Sequence, residues 1–273
     1  MIAPYVDAAW TAEHRDRLVL ADVRWYLDGR PGRPEYERGH IPGAVFVELE
    51  DCLAAPPSPQ EGRHPLPEPH VFARCMAKLG IGDEDTVVAY DDQGGVIAAR
   101  LVWMLRVTGR EAALLDGGIE AWDGPLETGP ARTRAAIFSA RPWPAEALAD
   151  AEDAADAANV VLDARQRERY LGEGIDPVDP RTGHIPGARS LPAREHVGPD
   201  GRLLDLDELR RRFEEAGVNG ARPVVSYCGS GVTACQNLLV LEHAGLGTGR
   251  LYPGSWSQWS NDPERPVATG EER

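Results

Sequence analysis

Residues 224–246 read VVSYCGSGVTACQNLLVLEHAGL and place a cysteine where a strand turns into a helix. The run before the cysteine is mostly β-branched and apolar, as in a central strand of a parallel sheet. The segment VTACQNLLVLEHAG has the apolar character and the terminal glycine of a helix. Ligands of open parallel sheets bind at the carboxyl ends of the strands, so Cys228 is a candidate nucleophile.

The residues after the cysteine favour an anion. Gly229 and Gly231 let the backbone curl so that successive N–H groups point inward. The dipole of the following helix adds to that positive potential. The sequence therefore predicts a loop that stabilises a thiolate, a negatively charged persulfide or a bound anionic substrate.

The chain contains an internal repeat. Asp22 corresponds to Asp163, His40 to His184 and Val96 to Val232, at a nearly constant spacing. Four blocks recur in the same order: LVLADVRW with VVLDARQR, RGHIPGAVFV with TGHIPGARSL, VVAYDDQGGVIAARL with VVSYCGSGVTACQN, and LLDGGIEAW with LYPGSWSQW. This pattern indicates a tandem duplication.

Short apolar runs alternate with helical stretches in each half, which predicts an α/β fold with parallel sheets covered by helices on both faces. We predict an N-terminal domain over 1–124, a linker rich in Pro, Gly and Ala over 125–150, and a C-terminal domain over 151–273. Only the C-terminal copy of the loop carries the cysteine. We therefore expect that copy to be catalytic.

Composition limits the possible partners and the compartment. The 273 residues carry a formal net charge of −15, which opposes binding to nucleic acid and to acidic membranes. The first residues are acidic where an export signal is basic and then apolar, and we expect a cytoplasmic protein. The four cysteines form no CxxC pair, so we expect neither a disulfide framework nor a metal site. Cys52, Cys75 and Cys235 are then interpreted as small buried residues.

The motifs CGSGVTA, the two GHIPGA blocks and the paired DGG…W and YPGSW…W segments resemble the two-domain rhodanese superfamily. The resemblance covers nearly the whole chain and implies two similar domains, each with a five-stranded parallel sheet. It also implies that Cys228 takes a sulfane sulfur from a small anionic donor, becomes a persulfide, and passes the sulfur to cyanide or to a thiol such as thioredoxin. No cofactor is implied, and we expect a monomer.

The loop is more similar to that of the 3-mercaptopyruvate sulfurtransferases than to that of the thiosulfate enzymes. Thiosulfate-specific relatives carry Arg and Lys just after the cysteine, whereas Gly229 and Ser230 are neutral here. Mercaptopyruvate, with one carboxylate and a keto group, suits a hydroxyl and backbone amides better than a dianion does. We expect Gly229, Ser230, Gly231, Val232 and Thr233 to line the donor site, with thiosulfate as the alternative donor.

The resemblance assigns further residues. Arg169, six residues after Asp163, takes the place of an arginine that grips the substrate anion. A second arginine of the family is replaced by Pro177, and Arg181 lies close enough in sequence to substitute for it.

The first half is similar to the family segment that supplies a histidine and an acid. His64 would bond Ser230 and be oriented by Glu50, or alternatively by Asp51, giving a relay for a proton. His40 and His184 occur in both halves, including the half without the cysteine, and are interpreted as fold-supporting residues.

Two other readings fit less well. Phosphatases of the same fold need Cys-x5-Arg, but Ala234 stands at that arginine position and the loop is one residue too short. A binding module without chemistry fits only the first half, where Asp91 replaces the cysteine. The second half retains the nucleophile, which favours an enzyme.

Overall fold

The computed structural model describes residues 1–131, 133–176 and 178–271. The chain folds into two compact units. Unit 1 comprises Met1–Ala55, Pro67–Trp143 and Val197–Leu203, and unit 2 comprises Pro56–Leu66 and the chain from Pro144 onward without 197–203. Each unit therefore contains a short segment from the other half of the sequence. The segment 56–66 matters for the site, because it brings His64 into unit 2.

Unit 1 contains a five-stranded sheet in which all pairs are parallel and the order is β1-β5-β4-β2-β3. The strands are β1 (Tyr5–Val6), β2 (Leu18–Asp22), β3 (Val45–Phe46), β4 (Thr86–Tyr90) and β5 (Ala112–Leu115). The helices that flank it are α1 (Ala8–Glu13), α2 (Gly32–Arg38), α3 (Pro69–Lys78) and α4 (Ala98–Val107). This unit confirms the predicted parallel five-stranded sheet.

Unit 2 repeats the arrangement with four strands in the order β7-β6-β8-β9, again all parallel. The strands are β6 (Val160–Asp163), β7 (Arg189–Ser190), β8 (Val224–Tyr227) and β9 (Arg250–Leu251). The helices are α5 (Ala151–Ala155), α6 (Arg167–Leu171), α7 (Leu206–Glu215), α8 (Ala234–His243) and α9 (Ser255–Trp259).

The prediction of a fifth strand in this second sheet was wrong. Leu148 occupies the place that β1 has in unit 1, but it forms only one parallel bridge, to Leu251. The Ala149 N–H donates to the Leu251 carbonyl at 2.8 Å, after which the chain enters α5. One residue of pairing is too short to count as a strand.

The central strands are apolar because both of their faces are covered. Every residue of β6 and β8 is buried, including Ser226. The carboxyl ends of β2 and β6 carry a repeated ion pair, Asp22 with Arg24 and Asp163 with Arg165, in which both charges are buried. Burial of two charges is tolerated because each carboxylate accepts two or more hydrogen bonds. These pairs fix the start of the loop that follows each strand.

The two repeated histidines have the same environment in each unit. His40 and His184 are fully buried, and their Nδ1 atoms lie 2.9 and 2.8 Å from the carbonyl oxygens of Tyr36 and Tyr170. The imidazole of His40 also stacks on the ring of Tyr36, and that of His184 stacks on the ring of Tyr170. Such contacts position the GHIPGA turns and support the interpretation of both histidines as fold-supporting residues.

Cys52 and Cys75 form a disulfide, contrary to the expectation that both are unpaired. Cys52 lies in a π-helical turn, Leu49–Leu53, and Cys75 lies in α3. No pattern in the sequence indicates this pairing, because 23 residues separate the two cysteines and only the packing of the turn on the helix brings their Cα atoms to 5.5 Å. Cys235 is fully buried in α8, as predicted, and forms no disulfide among the described residues.

Among the helices of the described residues, none has both the length and the apolar character that a membrane crossing needs.

Candidate active site

The cysteine loop begins where β8 ends and leads directly into α8. Cys228 is only 2% exposed, and its Sγ accepts the N–H of Gly231 at 3.1 Å. Gly231 has a φ of +77°, and a β-carbon there would lie 2.6 Å from the carbonyl oxygen of Pro253. Only glycine can therefore place this N–H toward the sulfur.

A second segment holds the backbone of Cys228 from the other side. The Cys228 N–H donates to Ser255 Oγ at 3.1 Å, and the Trp256 N–H donates to the Cys228 carbonyl at 3.0 Å. The Ser257 N–H donates to the Gly229 carbonyl at 2.9 Å. Ser255 has a φ of +52°, and among the described residues it alone combines a side chain with a positive φ. Strained backbone of this kind often lies at functional sites.

Sequence analysis missed Ser255. The signal available was the block LYPGSWSQW, whose counterpart in the first half has glycine at the matching position, Gly118, with a φ of +59°. A serine retained where glycine fits better indicates that its hydroxyl is needed.

Ser230 and His64 meet as predicted from the resemblance. Ser230 Oγ lies 2.8 Å from His64 Nδ1, and each residue is 8% exposed. The turn Ser58–Gly62 and the donation of the Arg63 N–H to Ser257 Oγ at 3.0 Å fix the segment that carries His64. A serine hydroxyl bonded to an imidazole can pass a proton in either direction.

Two arginines lie beside the loop, of which the sequence indicated one. A methyl group placed on Gly229 would come within 2.9 Å of Arg63 Nη2 and 3.5 Å of Arg169 Nη1. Arg63 was missed, although it directly precedes the histidine assigned to the site. Only the folded structure shows that Arg63 lies at the site, because the segment 56–66 belongs to unit 2 although it lies in the first half of the sequence.

Two aspartates hold these arginines. Asp179 pairs with Arg63 through Oδ1 and with Arg169 Nη2 through Oδ2, the latter at 2.7 Å. Arg169 Nε also donates to Asp176 at 2.9 Å. Burial raises the pKa of Asp179 and the two guanidinium groups oppose that rise. Burial acts in the same direction on Asp176, but hydrogen bonds from Arg169 and from the Val178 N–H outweigh it and lower its pKa.

Arg181 does not take part in this cluster. Its guanidinium donates to the carbonyl oxygens of Trp259, Ser260, Asp262 and Arg265 at 2.6–2.9 Å. These contacts fix the segment after α9, so the suggestion that Arg181 supplies the second anion contact was wrong. Pro177, the position at which the family arginine is missing, lies outside the described residues.

The remaining predicted residues lie as follows. Val232 is buried, and Thr233, half-buried, precedes α8 without a side-chain capping bond. Glu50 is exposed in the π-helical turn of unit 1, where it accepts the indole N–H of Trp25 at 3.3 Å. Asp51 is exposed in the same turn. That either acid orients His64 stays a prediction.

The equivalent loop of unit 1 is filled by its own side chain. Asp91 is fully buried and its carboxylate accepts the N–H groups of Gln93, Gly95, Ile97 and Ala98 at 2.8–2.9 Å. Four convergent donors confirm that this turn can surround an anion. Within 1–131, 133–176 and 178–271, no group of three His, Cys, Asp or Glu side chains has the arrangement of a metal site.

The chain is similar to known proteins over most of its length. The rhodanese-like domain family matches residues 7–124 and 145–262. A probable 3-mercaptopyruvate sulfurtransferase of Pseudomonas aeruginosa is 42% identical over 274 residues, covering 93% of each chain. A putative thiosulfate sulfurtransferase of Mycobacterium tuberculosis, SseB, is 38% identical over 263 residues, covering 93% of this chain and 92% of that one.

Among solved structures, SseA from Escherichia coli, described as a 3-mercaptopyruvate sulfotransferase, aligns with a TM-score of 0.82 and 35% identity. The alignment covers 93% of this chain and 99% of SseA. Because the family matches both halves and these relatives span nearly the whole length, the chain belongs to the rhodanese-like domain family.

Proposed function

We propose that this chain is a sulfurtransferase that takes a sulfane sulfur from 3-mercaptopyruvate and carries it as a Cys228 persulfide. The observation that carries the proposal is the hydrogen bond of 2.8 Å between Ser230 and His64, two residues after the nucleophile. Thiosulfate brings no proton that has to be moved, whereas mercaptopyruvate has a thiol proton. Relatives named 3-mercaptopyruvate sulfurtransferases support the same donor.

The proposed first half-reaction balances without a cofactor. The Cys228 thiolate attacks the donor sulfur, and the donor C–S bond breaks with its electron pair passing to carbon as the enolate of pyruvate. The thiol proton passes through Ser230 and His64, and the enolate takes up a proton to give pyruvate. The products are pyruvate and the Cys228 persulfide anion. The Gly231 N–H, already 3.1 Å from Sγ, stabilises negative charge on that sulfur.

In the second half-reaction an acceptor nucleophile attacks the outer sulfur and releases the Cys228 thiolate. Cyanide or a thiol such as thioredoxin can act in this way. These acceptors, the monomeric state and the cytoplasmic location stay predictions, as does the division of labour between residues 1–124 and 151–273.

Thiosulfate is the second candidate donor, and one observation favours it. Gly229 and Ser230 are neutral, but the loop has a second cation beside it that was not expected, because Arg63 lies over Gly229 together with Arg169. The Mycobacterium tuberculosis relative is named a putative thiosulfate sulfurtransferase. Mercaptopyruvate remains the main proposal because the Ser230–His64 pair has no task in the transfer from thiosulfate.

The test compares kcat/KM for both donors in the wild type and in Ser230→Ala, with cyanide as acceptor. We expect a large preference for mercaptopyruvate. The substitution should lower this preference by about a hundredfold to ten-thousandfold, the range for loss of general acid–base catalysis. Ser190→Ala is the matched control, since its buried hydroxyl makes no hydrogen bond within the described residues. Pyruvate release that survives in Cys228→Ser would contradict the enzyme class, and better use of thiosulfate would contradict the donor.

A further inference from the structure

The four charges beside the cysteine loop form a cluster that is neutral as a whole. Arg63 and Arg169 contribute two positive charges, and Asp176 and Asp179 two negative ones. Here these four residues are called the charge cluster. Each carboxylate is counted as one negative charge because it accepts charge-assisted hydrogen bonds, Asp176 from Arg169 and Asp179 from both arginines. The positive charge over Gly229 is therefore matched by equal negative charge behind it.

The cluster is layered. The aspartate side chains are 1–2% exposed, whereas those of Arg63 and Arg169 are 26% and 18% exposed. The acids therefore form the buried layer and the guanidinium groups the outer one. An anion that reaches the site meets the arginines first and feels the aspartates at longer range.

The two guanidinium groups still have donors to offer. The aspartates engage Arg63 Nη1 together with Arg169 Nε and Nη2. Arg63 Nη2 and Arg169 Nη1 have no acceptor within the described part of the chain, and these two atoms approach Gly229 most closely from their side chains. Unused N–H groups from two arginines thus converge beside the residue that follows the nucleophile. A carboxylate or another oxyanion fits such a pair.

We propose that Asp179 is a specificity-determining residue, which keeps the charge cluster neutral and so favours donors with one negative charge over dianions. Asp179 is suited to this because its two oxygens bridge both arginines. The inference rests on the proposed function. Asp179 would then contribute to the selectivity between monoanionic and dianionic donors, in addition to the neutral residues of the loop.

The charge of the donors makes the difference. Mercaptopyruvate carries one charge at neutral pH, because an ordinary thiol is then mostly protonated. Thiosulfate carries two. When one negative charge is removed from the cluster, the gain in Coulomb attraction is twice as large for thiosulfate as for mercaptopyruvate, because thiosulfate carries two charges. For a distance of about 7 Å between the Asp179 carboxylate and the donor charge, and an effective dielectric constant of about 20, this difference raises the affinity for thiosulfate relative to mercaptopyruvate by roughly tenfold to fiftyfold.

The experiment is a series of variants that changes the charge of the cluster. Asp179→Asn gives +1, the wild type and Arg63→Lys give 0, and Arg63→Gln gives −1. The ratio of kcat/KM for thiosulfate to that for mercaptopyruvate should rise about tenfold or more in Asp179→Asn and fall in Arg63→Gln. Arg63→Lys should keep the ratio near that of the wild type, even if both rates decrease.

Glu152→Gln is the control for total charge. It makes the same change of +1 on an exposed carboxylate that pairs with Arg265. The donor ratio should not change in this variant. The proposal is overturned if Glu152→Gln changes the donor ratio as much as Asp179→Asn does. It is also overturned if the ratio does not increase with the charge of the cluster across the variants.

Equilibrium binding separates this inference from the proposed function. In Cys228→Ser, which cannot turn over, calorimetry measures the binding of pyruvate, a monoanion, and of sulfate, a dianion. Adding Asp179→Asn should strengthen sulfate binding relative to pyruvate by about tenfold. This result would support the inference even if the wild type transferred no sulfur, and an unchanged ratio would reject it even if the wild type were active. Arg63→Gln supplies the opposite change should Asp179→Asn fail to fold.

Discussion

Gly231 and Gly229 stand on either side of Ser230 but have different physical roles. Gly231 needs its positive φ and faces the backbone oxygen of Pro253. Gly229 faces the end of the Arg63 side chain, which can move. The first glycine shapes the turn, and the second leaves space for the arginines.

Gly231→Ala should therefore damage the loop itself. The strain of an alanine at positive φ is about 1–3 kcal/mol, and the contact with Pro253 adds to it. We expect a lower melting temperature together with a large loss of kcat, because the N–H that faces Cys228 Sγ moves.

Gly229→Ala is the matched substitution. It should leave the melting temperature nearly unchanged and raise KM for the donor severalfold by displacing Arg63. Thermal unfolding and steady-state kinetics of both variants are the measurements. Equal effects on stability would show that the two glycines do not differ in this way.

Residues were predictable from the sequence where a motif surrounds them. Cys228 and Ser230 were indicated by the loop, and Arg169 and His64 were assigned through the resemblance. Arg63 and Ser255 escaped because their roles depend on contacts with residues far away in the chain, Asp179 and Cys228. The contact of Arg63 leaves no local pattern, whereas Ser255 could have been noticed only as a departure from Gly118 in the repeated block.

At the scale of elements, α7 and α8 enclose a buried histidine. His196 is fully buried, with Nε2 2.9 Å from Asn237 Oδ1 in α8 and its ring stacked on Phe213 in α7. Its Nδ1 has no partner in the described part of unit 2. Burial lowers the pKa of His196 to about 4, with a smaller effect in the same direction from Arg212, while the bond to Asn237 acts against it.

This histidine should make unfolding depend on pH. The unfolded chain takes up a proton near pH 6.5 and the folded one only near pH 4, so stability is complete above about pH 6.5 and falls as the pH is lowered toward 4. The loss should amount to about 3 kcal/mol across that window.

Urea unfolding at several pH values is the measurement, with two variants for comparison. His196→Gln should flatten the dependence between pH 6.5 and pH 4, whatever its effect on stability at neutral pH. His70→Gln, which changes an exposed histidine, should keep the slope of the wild type. An equal slope in His196→Gln would assign the pH dependence to other groups.

Elements were predictable where the apolar pattern is long. The central strand β8 and the helix α8 lie in the segments in which the apolar run and the helical pattern around Cys228 indicated them. The fifth strand of unit 2 was not found, because pairing at Leu148 extends over one residue and no pattern in the sequence determines where pairing stops. The disulfide escaped for a related reason, as only the packing of two elements creates it.

At the scale of the whole molecule, a net charge of −15 acts on an anionic donor before any contact is made. The charge cluster is neutral and cannot compensate at long range. Salt screens such repulsion, with a Debye length of about 10 Å at 0.1 M. The second-order rate constant kcat/KM, which governs the reaction at low donor concentration, should therefore increase with moderate salt.

We expect kcat/KM to rise a fewfold between about 10 and 150 mM salt, and more steeply for thiosulfate than for mercaptopyruvate because of its second charge. Stopped-flow or steady-state rates at constant pH are the measurement. Competition by the added anion would lower both rates, so the steeper slope for the dianion is the diagnostic result. A decrease that is larger for thiosulfate would mean that local positive charge dominates the approach.

The carboxylate of Asp91 has a consequence for the catalytic half. In unit 1 the loop permanently holds a side-chain anion two bonds beyond the β-carbon position, surrounded by four N–H groups. In the proposed cycle the outer sulfur of the persulfide extends about as far from the backbone at Cys228. The fold thus supplies N–H donors that match the persulfide form of Cys228 better than its thiolate form. We therefore expect the persulfide to be the predominant form of the enzyme between turnovers. Mass spectrometry of the protein as purified, before any reductant is added, should find Cys228 heavier by one sulfur atom.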